Sequence, residues 1–114
     1  MKFLFPLCAA LVCLSGCADR STHSLGTVSA PGPVTAVSDL KPLAVPTTVR
    51  GVMIEKCPIS GCWFKLRDRS GVVKVDTKAA GFVVADVPLS TVVTVSGKFQ
   101  TQPERQFEAS GLQY

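Results

Sequence analysis

Hydrophobic positions fall into three regimes along the chain. Phe3 to Leu14 is an almost unbroken apolar run behind the single charge of Lys2. From Ala18 to about Pro46 apolar residues are scattered among Ser, Thr, Ala and Gly, with Pro31, Pro33, Pro42 and Pro46 spaced between them. From Thr47 onward apolar and polar positions alternate with a period of two, the mark of strands that bury one face. There is no internal repeat and no stretch with a clean helical period.

The alternation and its punctuation predict five strands. The first runs from Thr47 to Lys56, with Val49, Gly51 and Met53 on one side and Val52 and Ile54 on the other. Trp63 to Asp68 follows, where Phe64 and Leu66 face one way and Lys65 and Arg67 the other. Arg69-Ser70-Gly71 is a tight turn into a third strand, Val72 to Asp76. Ala79 to Leu89 is a less regular connection with room for a helix, and Pro88 argues against a central strand there. Thr91 to Gln100 is rich in β-branched residues, and Phe107 to Leu112 closes the series.

Three meandering strands, an irregular connection and two more strands predict an all-β fold. Its expected form is a small five-stranded oligonucleotide/oligosaccharide-binding (OB)-like barrel. A barrel is preferred to a small sandwich because closure removes the two exposed edges. Gly51 and Gly97, inside strands, fit barrel corners or close backbone approach.

The apolar run at the start is about twelve residues, too short for a membrane-crossing helix of about 20. It reads as a signal peptide. Its end, Leu14-Ser15-Gly16-Cys17, resembles the bacterial lipobox. That resemblance implies cleavage before Cys17 and a diacylglycerol on its sulfur, with acyl chains (palmitate among them) anchoring the protein in a membrane. Ala18 stands where inner-membrane lipoproteins commonly carry aspartate, so the resemblance implies an outer-membrane anchor facing the periplasm, although Asp19 follows one place later. The expected organisation is a lipoprotein signal peptide over 1–16, lipidated Cys17 and a flexible Pro/Ser-rich tether over 17–46, and the barrel over 47–114. Tether composition cannot bury enough apolar surface to offset its ordering entropy.

Charge then adds little. The formal net charge is +4, and loss of Lys2 with the leader lowers it by one. That excludes a strongly basic nucleic-acid footprint, and nucleic acid is not an expected partner. The only histidine, His23, lies in the tether region, so the barrel has no imidazole for acid–base catalysis. Its carboxylates show no clustering, and a non-catalytic protein is expected.

Cysteine usage is more informative. Of five cysteines, Cys8 and Cys13 leave with the leader and Cys17 takes lipid, which leaves Cys57 and Cys62. They flank Pro58-Ile59-Ser60-Gly61 and precede the only tryptophan, Trp63. Three readings stay open at this point. A disulfide across the hairpin loop suits an oxidising compartment and would contribute roughly 2 kcal/mol to a small domain. Two soft thiolates suit copper(I), with Met53 as a conceivable thioether donor, but no third cysteine or histidine supports a closed zinc site. A thiol–disulfide exchange pair is the third; Lys56 and Lys65 would favour its thiolate, but no helix N-terminus does.

Alternation places Trp63 outside the barrel with Lys65 and Arg67, and with Lys74 on the next strand. An aromatic and basic face of this kind suits stacking and charge recognition of an envelope protein, a peptide or a glycan. Finally, Val49-Arg50-Gly51-Val52 followed by Cys57-Pro58-Ile59-Ser60-Gly61-Cys62-Trp63-Phe64-Lys65-Leu66 resembles a family of small exported bacterial OB-like domains of unknown function. Gly81 to Pro88 and Val93-Thr94-Val95-Ser96-Gly97 continue the likeness. The resemblance implies a fold and a compartment, and no activity.

Overall fold

The structure is a computed structural model that describes residues 23–28 and 32–114. Six strands are present: β1 (Ser24–Gly26), β2 (Thr47–Lys56), β3 (Trp63–Asp68), β4 (Gly71–Asp76), β5 (Val92–Gln100) and β6 (Gln106–Gln113). The predicted alternation dictates them. On β3, Phe64 and Leu66 are fully buried while Arg67 is exposed, and on β2 Val49 and Met53 are fully buried.

β2, β3 and β4 form an antiparallel meander, and β5 returns antiparallel to the first half of β2. β6 pairs antiparallel with β5 and, through Val75↔Phe107 and Asp76↔Glu108, parallel with β4. The circuit β2–β3–β4–β6–β5–β2 is therefore closed. The fold is the expected five-stranded OB-like barrel. Its interior is filled by Val49, Met53, Phe64, Leu66, Val75, Val93, Val95, Phe107 and Leu112, all at 0% exposure.

Closure requires close approach at two corners, and glycine supplies it. A Cβ at Gly51 would collide with the carbonyl oxygen of Arg67, and one at Gly97 with that of Glu108. The pairing register shifts between Ser96 and Gly97, a bulge that tightens the bend of β5.

Two regions depart from the sequence reading. Ala79 to Leu89 forms turns and no helix. Val84 and Val87 plug the barrel from this connection, both fully buried. The second region is the expected tether. Within it, Ser24–Gly26 is the added strand β1, paired antiparallel with the end of β6 from Ser24↔Gln113 to Gly26↔Gly111. Val34 bridges Thr48, and a single 3-10 turn at Val37–Asp39 buries Val37. β1 occupies the side of β6 beyond its short pairing with β4, so this stretch fills a seam in the barrel. Leu43, Ala44 and Val45 of this stretch are exposed.

Candidate functional site

β2 ends at Lys56 and β3 begins at Trp63, which makes Cys57–Cys62 the loop between them. Backbone hydrogen bonds hold this loop on three sides. The Cys57 N–H donates to the Trp63 carbonyl at 3.0 Å, the Thr77 N–H to the Cys62 carbonyl at 3.0 Å, and the Val84 N–H to the Gly61 carbonyl at 2.8 Å. Gly61 has φ +69° and lies so close to Ala85 that a Cβ would strike its backbone nitrogen, so glycine is required by both conformation and space. Lys56 reinforces the arrangement: its Nζ donates to the carbonyls of Val84, Ala85 and Val87.

The two cysteines are thiols, both half-buried. The Ser60 hydroxyl lies between the sulfurs, donating to Cys62 Sγ at 3.3 Å and standing 3.8 Å from Cys57 Sγ. The Cys57 thiol is lowered from an ordinary 9.0 to about 6. Backbone N–H groups of Ser60, Ile59 and Gly61 cause this by pointing at the sulfur; burial opposes them, and the Ser60 hydroxyl adds a smaller lowering. Hydrogen bonds to the charged form favour it, and successive amides turned inward make an anion-binding concavity. The loop thus provides from its own backbone what a helix N-terminus would supply. The lysines expected to help are engaged elsewhere, Lys56 on carbonyls and Lys65 with Glu55 at 3.6 Å.

The metal reading finds no third donor. Met53 is fully buried in the core, and no cluster of three or more His, Cys, Asp or Glu residues lies among the described residues. What remains is a pair of sulfurs.

The structure brings the other four candidate residues onto one outer surface. Trp63, Lys65 and Arg67 succeed one another along β3, and Lys74 of β4 is the cross-strand partner of Lys65. Lys74 Nζ sits 5.5 Å from the centre of the Trp63 ring and 3.4 Å from Glu104. The Trp63–Lys74 contact is a cation–π pair, and the two surface ion pairs contribute little stability. Arg67 has no anionic partner among the described residues. Its cross-strand neighbours are Val52 and Val72, and Val52 in turn faces Val92. Val72 and Val92 are 48% and 46% exposed, so a cross-strand row of three valines, on β4, β2 and β5, is interrupted on β3 by Arg67. Alternation alone does not reveal that row, because it depends on register across β4, β3, β2 and β5. Nor did sequence reasoning single out Ser60, whose one signal is its place between two cysteines. Cys17, the expected lipidation site, lies outside the described residues.

The class this geometry defines is a small closed OB-like barrel with a two-thiol loop at one end. No protein-family model and no curated protein matches the chain. Among solved structures, the hypothetical protein ygiW from E. coli is similar, with 22% identity and a TM-score of 0.55 over 79% of this chain and 100% of that one. The likeness is one of fold.

Proposed function

We infer that the chain is a lipid-anchored protein of the bacterial cell envelope, held in the outer membrane through Cys17. Its barrel is a non-catalytic binding module. The partner is a protein or peptide segment carrying acidic and apolar side chains, and it docks on the outer face of β3 and β4. The observation that carries this reading is the surface around Arg67: a guanidinium with no anionic partner among the described residues, flanked by Val72 and Val52 with exposed Val92 one strand further on, and with Trp63 and Lys74 on the same strands. OB-type barrels bind ligands on the corresponding strands and neighbouring loops, which supports the choice of face by analogy. In an oxidising compartment Cys57 and Cys62 close to a disulfide beside this face.

Two measurements test the reading. A photo-crosslinking residue at position 67 or 72 of the envelope-located protein should capture one dominant species, identified by mass spectrometry and lost in Arg67→Glu. Diffuse crosslinking that Arg67→Glu leaves unchanged would remove the face from consideration. Cys17→Ser should move the protein from the membrane fraction to the soluble one; retention in the membrane would overturn the anchor.

A further inference from the structure

The Cys57–Cys62 loop is built for more than a staple. We propose that Cys57 and Cys62 form a thiol–disulfide exchange site, with Cys57 as the attacking and leaving sulfur and Cys62 as the resolving one. This inference goes beyond the binding-module reading and needs neither the lipid anchor nor the Arg67 face.

Three features of the loop carry it. One group contacts both thiols: the Ser60 hydroxyl oxygen lies 3.3 Å from Cys62 Sγ and 3.8 Å from Cys57 Sγ. The environments of the two sulfurs differ. Cys62 Sγ accepts the Ser60 hydroxyl at 3.3 Å, whereas the Cys57 thiol is lowered by the backbone amides of Ser60, Ile59 and Gly61, which favours Cys57 as the attacking sulfur. The pair is also reachable: Pro58, Ile59 and Ser60 are exposed, and Ile59 at 90% exposure offers an incoming chain an apolar contact beside the sulfurs. The rest of the loop is held by backbone hydrogen bonds to Trp63, Thr77 and Val84, so the cradle is pre-formed.

The chemistry balances as follows. The Cys57 thiolate attacks one sulfur of an incoming disulfide, which breaks, and one thiolate leaves. Cys62 gives its proton to solvent and attacks the Cys57 sulfur of the mixed disulfide. The Cys57–Cys62 bond forms and the second thiolate leaves. Two electrons pass to the incoming disulfide, which departs as two thiols. In reverse, a dithiol takes the disulfide and Cys57 leaves last. A thiolate stabilised in the reduced protein is a good leaving group, and it makes the bond more oxidising than that of an inert staple. No charged side chain contributes to the Cys57 cradle, and the adjacent Lys56 ammonium is turned onto carbonyls.

The experiment uses the whole protein purified in detergent, reduced, freed of reductant and treated with glutathione disulfide. The wild type should close the Cys57–Cys62 disulfide, and a glutathione buffer rich in the reduced form should reopen it. Cys62→Ser should accumulate a stable glutathione adduct on Cys57, formed at a rate nearly constant between pH 7 and 8. Cys57→Ser should form its adduct on Cys62 about threefold more slowly at pH 7, because a lowered thiol gains thiolate fraction but loses part of its intrinsic nucleophilicity. Equal rates, a faster Cys62, or an oxidised wild type that reduced glutathione leaves closed would overturn the proposal. So would thiols inert to glutathione disulfide but protected by copper(I), which would mark a metal site. If either serine variant fails to fold, competitive alkylation of the reduced wild type, resolved by peptide mass, gives the same comparison of the two sulfurs.

Discussion

The two ends of β3 carry the same device with different acceptors. At one end Asp68 gathers the backbone N–H groups of Val37, Ser70 and Gly71, at 2.8, 2.7 and 3.1 Å, and the Ser70 hydroxyl at 2.6 Å. At the other, Cys57 gathers the N–H groups of Ser60, Ile59 and Gly61, with the Ser60 hydroxyl beyond them. Burial pushes the Asp68 carboxyl up, but the Ser70 hydroxyl and the three amides outweigh it and hold the group below its usual range. Around an oxygen acid the result is a latch: it closes the β3–β4 turn and fixes the Val37 segment to the barrel. Around sulfur the amides favour a thiolate, and the Ser60 hydroxyl beside it also contacts the second cysteine. Converging amides stabilise an anion; what the anion then does depends on its element and its neighbour.

The largest expected effect tests whether the two ends depend on a common support. Phe64 is fully buried on β3 between them, and Phe64→Ala should cost about 3–5 kcal/mol in denaturant unfolding. It should also loosen both loops, read as faster amide exchange at Ser60 and at Ser70. Loss of stability with exchange unchanged at both ends would mean that each is self-supporting.

Next in size are the latch and the staple. Asp68→Ala should cost about 1–2 kcal/mol at neutral pH, since it strands a set of turn amides much as loss of a helix cap does. The sign with pH follows from a depressed carboxyl. Its contribution is present above the unfolded value near 4 and is lost as pH falls through the lower folded value. The gap between wild type and Asp68→Asn should therefore shrink as pH falls below about 4. A gap that persists in acid would break the parallel between the two ends. On the sulfur side, Cys57→Ser should cost roughly 2 kcal/mol under oxidising conditions and far less under reductant. Equal loss in both would place the worth of Cys57 in packing.

Smaller effects separate amides from hydroxyls. With reductant present, Cys62→Ser keeps the Cys57 thiol alone. Its folded value of about 6 lies below the ordinary 9.0, so the thiolate should add stability above about 9 that fades as pH falls through about 6. The melting temperature of Cys62→Ser, measured against Cys57→Ser/Cys62→Ser, should thus rise across that window. A flat difference would mean that the amides do not hold the anion. Ser60→Ala should move this window least, because the hydroxyl is the smallest contributor to the lowering and the amides stay in place.

Much of the barrel was legible because its strands bury one face, and burial writes a period of two. Phe64 and Leu66 against Lys65 and Arg67 required no knowledge of neighbours. The connection over Ala79 to Leu89 was less legible: Val84 and Val87 stand three apart, as on a helix, but plug the barrel from turns instead. β1 is three residues long and is defined by its pairing with β6, so no periodicity could announce it. At the candidate site the sulfur pair was plain and its electrostatics were not. The groups that lower Cys57 are main-chain amides, which every residue but proline carries, and only the backbone path through Gly61 turns them inward. The face around Arg67 was half visible: β3 supplied its charges, while its valines come from register.

Pinning β1 to β6 also fixes a height. Five residues separate Cys17 from His23, whose N–H and carbonyl bond Tyr114 at 2.9 and 3.0 Å. Fully extended, that span reaches only about 20 Å. With lipid on Cys17, the barrel would stand on the bilayer like a stud, its Tyr114 end at the headgroups. β6 then runs eight residues, about 24 Å, toward the opposite end. The thiol loop would then stand at that far end, held away from the lipid that anchors the chain.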